Sequence, residues 1–243
     1  MRIKKHLAVL ALILIVFSCK KKPVETDNIF KFRDYISYTT SGRVSIADPI
    51  KINLAEEVSD WETEQSIDAK IVKTHPYVQG SLKALNKHTL LFTPDENLEP
   101  DTEYTVTVNL ADIYKNIPKD FEYYTFRFKT IRPSFNLITN NLQSYSKEWQ
   151  YILGTLQSAD VIALEDAKKL VEASQNDKDL NIVWLESNDT SRYFEFKIDS
   201  IKRKIEDSKV LVSWDGKAIN ADNKGENYLN IPGKNNFTII ETN

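Results

Sequence analysis

The chain has 243 residues, 41% of them hydrophobic and 28% charged, which is enough apolar material for one or two compact domains and too much for a disordered chain. Its 32 basic and 35 acidic residues give a formal net charge of −3 and are interspersed without a basic stripe, so nucleic acid is excluded as a class of partner. A single cysteine, Cys19, excludes an internal disulfide framework, and the domains must be held together by burial of their cores.

In chain order, Met1-Arg2-Ile3-Lys4-Lys5 is a short basic stretch, and Leu7 to Phe17 is an unbroken apolar run of 11 residues. A helix that crosses the hydrocarbon core needs about 20 apolar residues, so this run fits a secretory signal peptide instead. Val16-Phe17-Ser18-Cys19 follows directly and resembles the lipobox of bacterial lipoproteins. That resemblance implies a signal peptide over 1–18, cleavage after Ser18, and fatty-acyl chains such as palmitate on Cys19, the expected lipidation site. Each buried methylene of such chains contributes about 0.8 kcal/mol, which anchors the protein durably. Lys20 is not the aspartate that keeps such lipoproteins at an inner membrane, so the expected location is the bacterial envelope, at the outer rather than the inner membrane. Loss of the signal leaves 29 basic against 35 acidic residues, a net charge of −6. Lys20 to Asp27 is polar and contains Pro23, so 19–28 reads as a flexible tether. No later segment is apolar for long enough to cross a membrane.

From Ile29 to Thr130 the pattern has period two. Ile50–Leu54, Tyr104–Leu110 and Tyr124–Lys129 alternate apolar and polar residues, as strands with one wet face do. Thr89–Thr93 is a denser apolar run suited to a central strand, and Asp48-Pro49, His75-Pro76, Gly80 and Pro94 to Pro100 supply turns. Short strands divided by turns over about 100 residues predict an Ig-like β-sandwich over 29–131. Leu98-Glu99-Pro100-Asp101-Thr102-Glu103-Tyr104-Thr105-Val106-Thr107-Val108 carries a tyrosine corner, in which Tyr104 packs at the start of a strand and its hydroxyl reaches back to the loop stiffened by Pro100 and seated by Leu98.

A second unit is expected over 132–243, after Arg132-Pro133. Strands are predicted at Ser134–Leu142, Tyr151–Leu156, Asn181–Glu186, Arg192–Ile198, Lys209–Trp214 and Asn236–Glu241. Ala163 to Ala173 sets Leu164, Ala167, Leu170 and Val171 on one side of a short helix. The class is therefore all-β: two consecutive sandwiches, the second with one short helix. Pro232-Gly233 followed by a strand resembles the entry into a further domain, so the chain is expected to be the first portion of something longer, the alternative being that this strand closes the second sandwich.

The order of lipobox, polar tether, a sandwich with the segment TLLFTPDENLEPDTEYTVTV and a sandwich beginning FNLITNNLQSY resembles the N-terminal region of bacterial α2-macroglobulin-family lipoproteins of the Bacteroidetes type. The resemblance covers most of the mature chain and implies macroglobulin-type sandwiches in a peptidase inhibitor that traps proteases in the periplasm. The family's thioester motif, Cys-Gly-Glu-Gln, is not present in these residues, so this portion would supply only the anchor and the first structural domains.

No catalytic, cofactor or metal site is expected. His75 and His88 read as turn and surface residues, no serine lies in a nucleophile elbow, and there is no phosphate loop. Asp95 to Asp101 and Asn220 to Gly225 could offer oxygens to calcium but read as a solvated loop and a plain turn. Trp149, Trp184 and Trp214 are expected in or near a core, and Trp61, in a polar stretch, on the surface. Two functions stay open: a macroglobulin-type peptidase inhibitor whose partners are proteases and, through Cys19, a membrane; or a lipid-anchored Ig-like module that binds glycan or a protein.

Overall fold

The computed structural model describes residues 28–185 and 188–236. Cys19, the signal and most of the tether lie outside the described residues, as does most of the strand expected at Asn236–Glu241. The described chain is mostly β-strand with one short α-helix, and it forms two Ig-like sandwiches around two separate hydrophobic cores.

The first sandwich holds β1 (Ile36–Thr39), β2 (Arg43–Val44), β3 (Ile50–Leu54), β4 (Gln65–Ile67), β5 (Val72–His75), β6 (Gly80–Asn86), β7 (Thr89–Pro94), β8 (Glu103–Asn109) and β9 (Tyr123–Thr130). One sheet runs β1-β3-β7-β6-β4, with the dense apolar β7 at its centre; the other runs β2-β9-β8-β5, in which only β2–β9 is parallel. Alternation decides which side chains meet. Ile50 and Ile52 of β3 lie opposite Phe92 and Leu90 of β7, and all four are buried against Val106, Val108, Phe126 and Phe128 of the facing sheet.

The polar stretch around Trp61 leaves room for an exposed ring, but Trp61 is only 9% exposed and belongs to the first core. The polar neighbours Ser59, Asp60 and Glu62 stay in water while the turn closed by Trp61 N–H donating to Val58 O folds the indole inward. A large ring gains more from burial than its polar flanks lose.

The second sandwich holds β10 (Phe135–Ser144), β11 (Trp149–Ala163), β12 (Val171–Gln175), β13 (Lys178–Asp179), β14 (Ile182–Trp184), β15 (Thr190–Lys202), β16 (Ser208–Asp215) and β17 (Lys224–Ile231). The sheets β10-β11-β15-β14 and β13-β12-β16-β17 are wholly antiparallel. Between them lie Ile152, Leu156, Phe194, Phe196, Ile198, Val210, Val212 and Ile231, all essentially inaccessible. A Cβ on Gly154 would stand 2.3 Å from Cζ of Phe196, so glycine lets that ring cross β11.

The helix is shorter than expected. Only Leu164–Ala167, α1, is helical, and Val171–Ala173 belong to β12. Leu164, Ala167 and Leu170 keep the helical spacing, but from Val171 the burial alternates, with Val171, Ala173 and Gln175 turned inward. Pairing of Val171 through Gln175 with Trp214 through Val210 outweighs local helix propensity in so short a run. The sequence also gave no sign of β17, a polar edge strand that continues from the turn expected at Asn220 to Gly225.

Asp160, 5% exposed, joins the two sandwiches. Its Oδ1 accepts from Ser45 Oγ at 2.5 Å, from Val161 N at 2.8 Å and from Arg192 Nη2 at 2.9 Å, and its Oδ2 accepts from Ile46 N at 2.8 Å. Four donors satisfy a carboxylate that burial would otherwise penalise. Arg132, in the segment that connects the sandwiches, pairs with Asp222 at the same junction, and Ile46, Pro100, Ile131, Pro133, Ile162 and Ile219 line a cavity of about 270 Å³ beside it.

Candidate binding face

The tyrosine-corner residues come together. Tyr104 is buried, its hydroxyl accepts from Glu99 N at 3.0 Å, and Leu98 is buried under the loop that Pro100 closes. Its ring stacks on Phe128 with centroids 5.4 Å apart. This arrangement ties the β7–β8 loop to the core and places Ile46 O to accept from Leu98 N, so it shapes the junction and is structural in character.

Two of the acidic positions, Asp101 and Asp222, are held in ion pairs. Asp101 pairs with Lys129 at 2.6 Å, and that ammonium holds its carboxyl below the usual carboxylate range. Asp222 pairs with Arg132, and Asn223 donates to Phe135 O at 3.1 Å. His88 lies 3.4 Å from Glu57, and His75 ends β5 on the surface. Among the described residues no group of three or more His, Cys, Asp or Glu side chains is arranged to hold a metal ion.

Trp184 and Trp214 pack partly buried against the second core, but Trp149, expected there too, is 40% exposed. Register explains the difference. Along β11 the even-numbered residues Gln150, Ile152, Gly154 and Leu156 face inward, so Trp149, Tyr151, Leu153 and Thr155 face outward. A β-bulge lies on each side of β11 at this level, one in β10 between Thr139 and Leu142 and one against β15 between Gln150 and Ile152. Ser200, at φ 60°, sits in the second. Bulges re-aim side chains, and here the consequence is a cluster at the end of the sheet farthest from the junction.

In that cluster Tyr145 stacks on Tyr151 with centroids 5.1 Å apart and planes 14° from parallel. Tyr145 Oη donates to Asp199, which raises the phenol's pKa and lowers that of the carboxyl. Lys197 Nζ lies 3.4 Å from Asp199 and 5.8 Å from the centre of the Tyr151 ring, and Lys202 Nζ lies 5.9 Å from that of Trp149. Glu148 pairs with Lys234 at 2.9 Å, which holds its carboxyl below the ordinary range. Farther along, Tyr193 is 51% exposed, with its hydroxyl 3.5 Å from Thr155 Oγ1. Sequence reasoning did not single out Tyr145, Tyr151, Tyr193, Lys197 or Lys202. The signal available for it was the period-two placement of Trp149 and Tyr151 on one face of one strand.

Residues 36–130 match the family model for the bacterial Ig-like domain, so the first sandwich is a domain of that kind. No curated protein matches this sequence. Similar solved structures include L,D-transpeptidase 3 from Mycobacterium tuberculosis, at 13% identity and a TM-score of 0.29 over 49% of this chain and 44% of that one. The L,D-transpeptidase from Mycobacterium smegmatis has 10% identity and a TM-score of 0.30 over 81% and 72%, and bovine butyrophilin 6% and 0.32 over 81% and 96%. The chain spans less than half the length of the first of these, and likenesses at such scores carry no argument about function.

Proposed function

We propose that the chain is the lipid-anchored first section of a macroglobulin-type peptidase inhibitor of the bacterial envelope, in which two Ig-like sandwiches serve as a non-catalytic anchor and spacer. The observation that carries the spacer role is the latch at Asp160, whose bonds to Ser45 and Ile46 brace one sandwich on the other. Support for the family comes from the sequence order of basic stretch, apolar run, Cys19, tether and sandwich, and from the segment Thr89–Val108, which forms β7, the corner and β8. Lipid on Cys19 would hold the section at the outer membrane, and proteases would be met by whatever follows it in a longer chain.

A second reading is a lipid-anchored binding module, favoured by the exposed rings of Trp149, Tyr145 and Tyr193. Envelope fractions probed with antibody against residues 30–243 separate the two. A native species far larger than the 28.0 kDa of this chain supports the inhibitor, and a band near that mass leaves the binding module. In the same cells Cys19→Ala should release the protein from membranes or leave the precursor uncleaved; a processed mutant that stays in the membrane fraction refutes the anchor.

A further inference from the structure

Two Asn-X-Ser/Thr triplets stand in the chain, Asn188-Asp189-Thr190 and Asn236-Phe237-Thr238. This triplet is the acceptor pattern for a glycan on the asparagine amide nitrogen, provided that its middle residue is not proline. It serves only where the amide is in water and not already engaged, and the two triplets differ on that point.

Asn188, Asp189 and Thr190 are all exposed, in the turn that leads into β15. The turn is fastened just after the asparagine. Asp189 O accepts from Leu164 N at 2.9 Å, and Thr190 pairs with Ala163 of β11. These bonds hold the backbone and leave the side chains free. Among the described residues neither the Asn188 amide nor the Thr190 hydroxyl has a hydrogen-bond partner. Asn236 is in the opposite condition. Its Nδ2 donates to Asp207 and its carbonyl accepts from Arg203 Nη2 at 3.2 Å. An amide bonded to a carboxylate has to give up a charge-assisted hydrogen bond before its nitrogen can be presented to another group.

We propose that Asn188 is a glycosylation site and carries an N-linked glycan. The donor is a sugar activated as a diphosphate ester at its anomeric carbon. Asn188 Nδ2 forms a bond to that carbon while the carbon–oxygen bond to the diphosphate breaks. The diphosphate leaves with the electron pair, and one amide proton passes to a base of the transferring enzyme. Thr190, two residues on, supplies the hydroxyl by which the triplet is recognised. Thr190 also lines the junction cavity with Ile162 and Ile219, so the glycan stands beside the joint between the sandwiches. The site follows from the exposure of this turn and from its free amide, and it goes beyond the function proposed above.

The test is mass spectrometry of the native protein, purified whole from the cells that make it, with the N-terminus read from the same sample. A glycan mass on Asn188 is expected, lost completely in Asn188→Gln and in Thr190→Ala and retained in Asn236→Gln. Unmodified Asn188 in the native protein overturns the proposal, whichever residue the chain starts on; the N-terminus decides the lipid anchor separately. A glycan on Asn236 with Asn188 bare overturns the argument from the free amide. A glycan on Asn188 that survives Thr190→Ala overturns recognition through the triplet. Both Asn188→Gln and Thr190→Ala lie at exposed positions, and the reading on the native chain needs neither variant to fold.

Discussion

Removing the Asp160 carboxylate should loosen the joint between the sandwiches more than it harms either core. Asp160→Ala leaves the buried Ser45 Oγ and the partly buried Ile46 N without their acceptor. A buried donor left unsatisfied costs about 1–3 kcal/mol. Arg192 is half-exposed and regains water, so it adds little. For the two donors together the cost is about 2–6 kcal/mol, falling mainly on the interface. Ser45→Ala should cost less, about 1 kcal/mol, because Asp160 keeps its other three donors. Urea unfolding monitored by calorimetry and fluorescence gives the stability, and small-angle X-ray scattering gives the relative freedom of the domains. The expected result for Asp160→Ala is separation of one transition into two and a broader scattering envelope. A double-mutant cycle with Ser45→Ala should give a coupling of about 0.5–3 kcal/mol. An unchanged midpoint with unchanged scattering would refute the latch.

Three further outcomes follow from the geometry. Tyr104→Phe removes the acceptor of Glu99 N and should cost about 1–2 kcal/mol in chemical denaturation, and an unchanged midpoint would remove the corner's role. Gly154→Ala drives a methyl group into the Phe196 ring and should cost about 1–3 kcal/mol in thermal unfolding of the second sandwich. Tyr114, whose hydroxyl donates to Tyr35 O at 3.0 Å, has its pKa pushed up by burial from 10.0 to about 12. Its neutral form is therefore favoured in the folded state, and the stability this provides is complete below pH 10 and is lost as pH rises toward 12. Tyr114→Phe should flatten that alkaline loss, followed by phenolate absorbance together with circular dichroism.

Periodicity made the sandwiches legible because the inward residues of β3, β8 and β9 alternate strictly and supply nine of the twenty buried hydrophobic residues of the first core. It misjudged α1 because Leu164, Ala167 and Leu170 satisfy a helical spacing that ends where cross-strand pairing begins at Val171. It also exchanged the places of two tryptophans. Polarity of the neighbours decides little for a residue in a loop, as Trp61 shows, whereas strand parity decides nearly everything, as Trp149 shows. The exposed ring cluster was hidden for a different reason. It draws Tyr145 from a turn, Tyr151 from β11 and Lys197 from β15, residues that only the register of three strands brings together. Asp160 was equally silent, since its partner Ser45 lies 115 positions away.

The edge at β17 bears on how the molecule is handled. Among the described residues, β17 runs eight residues in unbroken register with β16 and pairs with no strand on its other side, so one row of backbone donors and acceptors there is a template for another strand. Lys224 and Glu226 put opposite charges on that rim and Pro232 ends the run just past it, so pairing in crowded solution is discouraged by charge at one end and by a missing donor at the other. Neutral replacements at 224 and 226 would remove that protection, and the protein would be expected to gel or precipitate at concentrations where the native sequence remains clear.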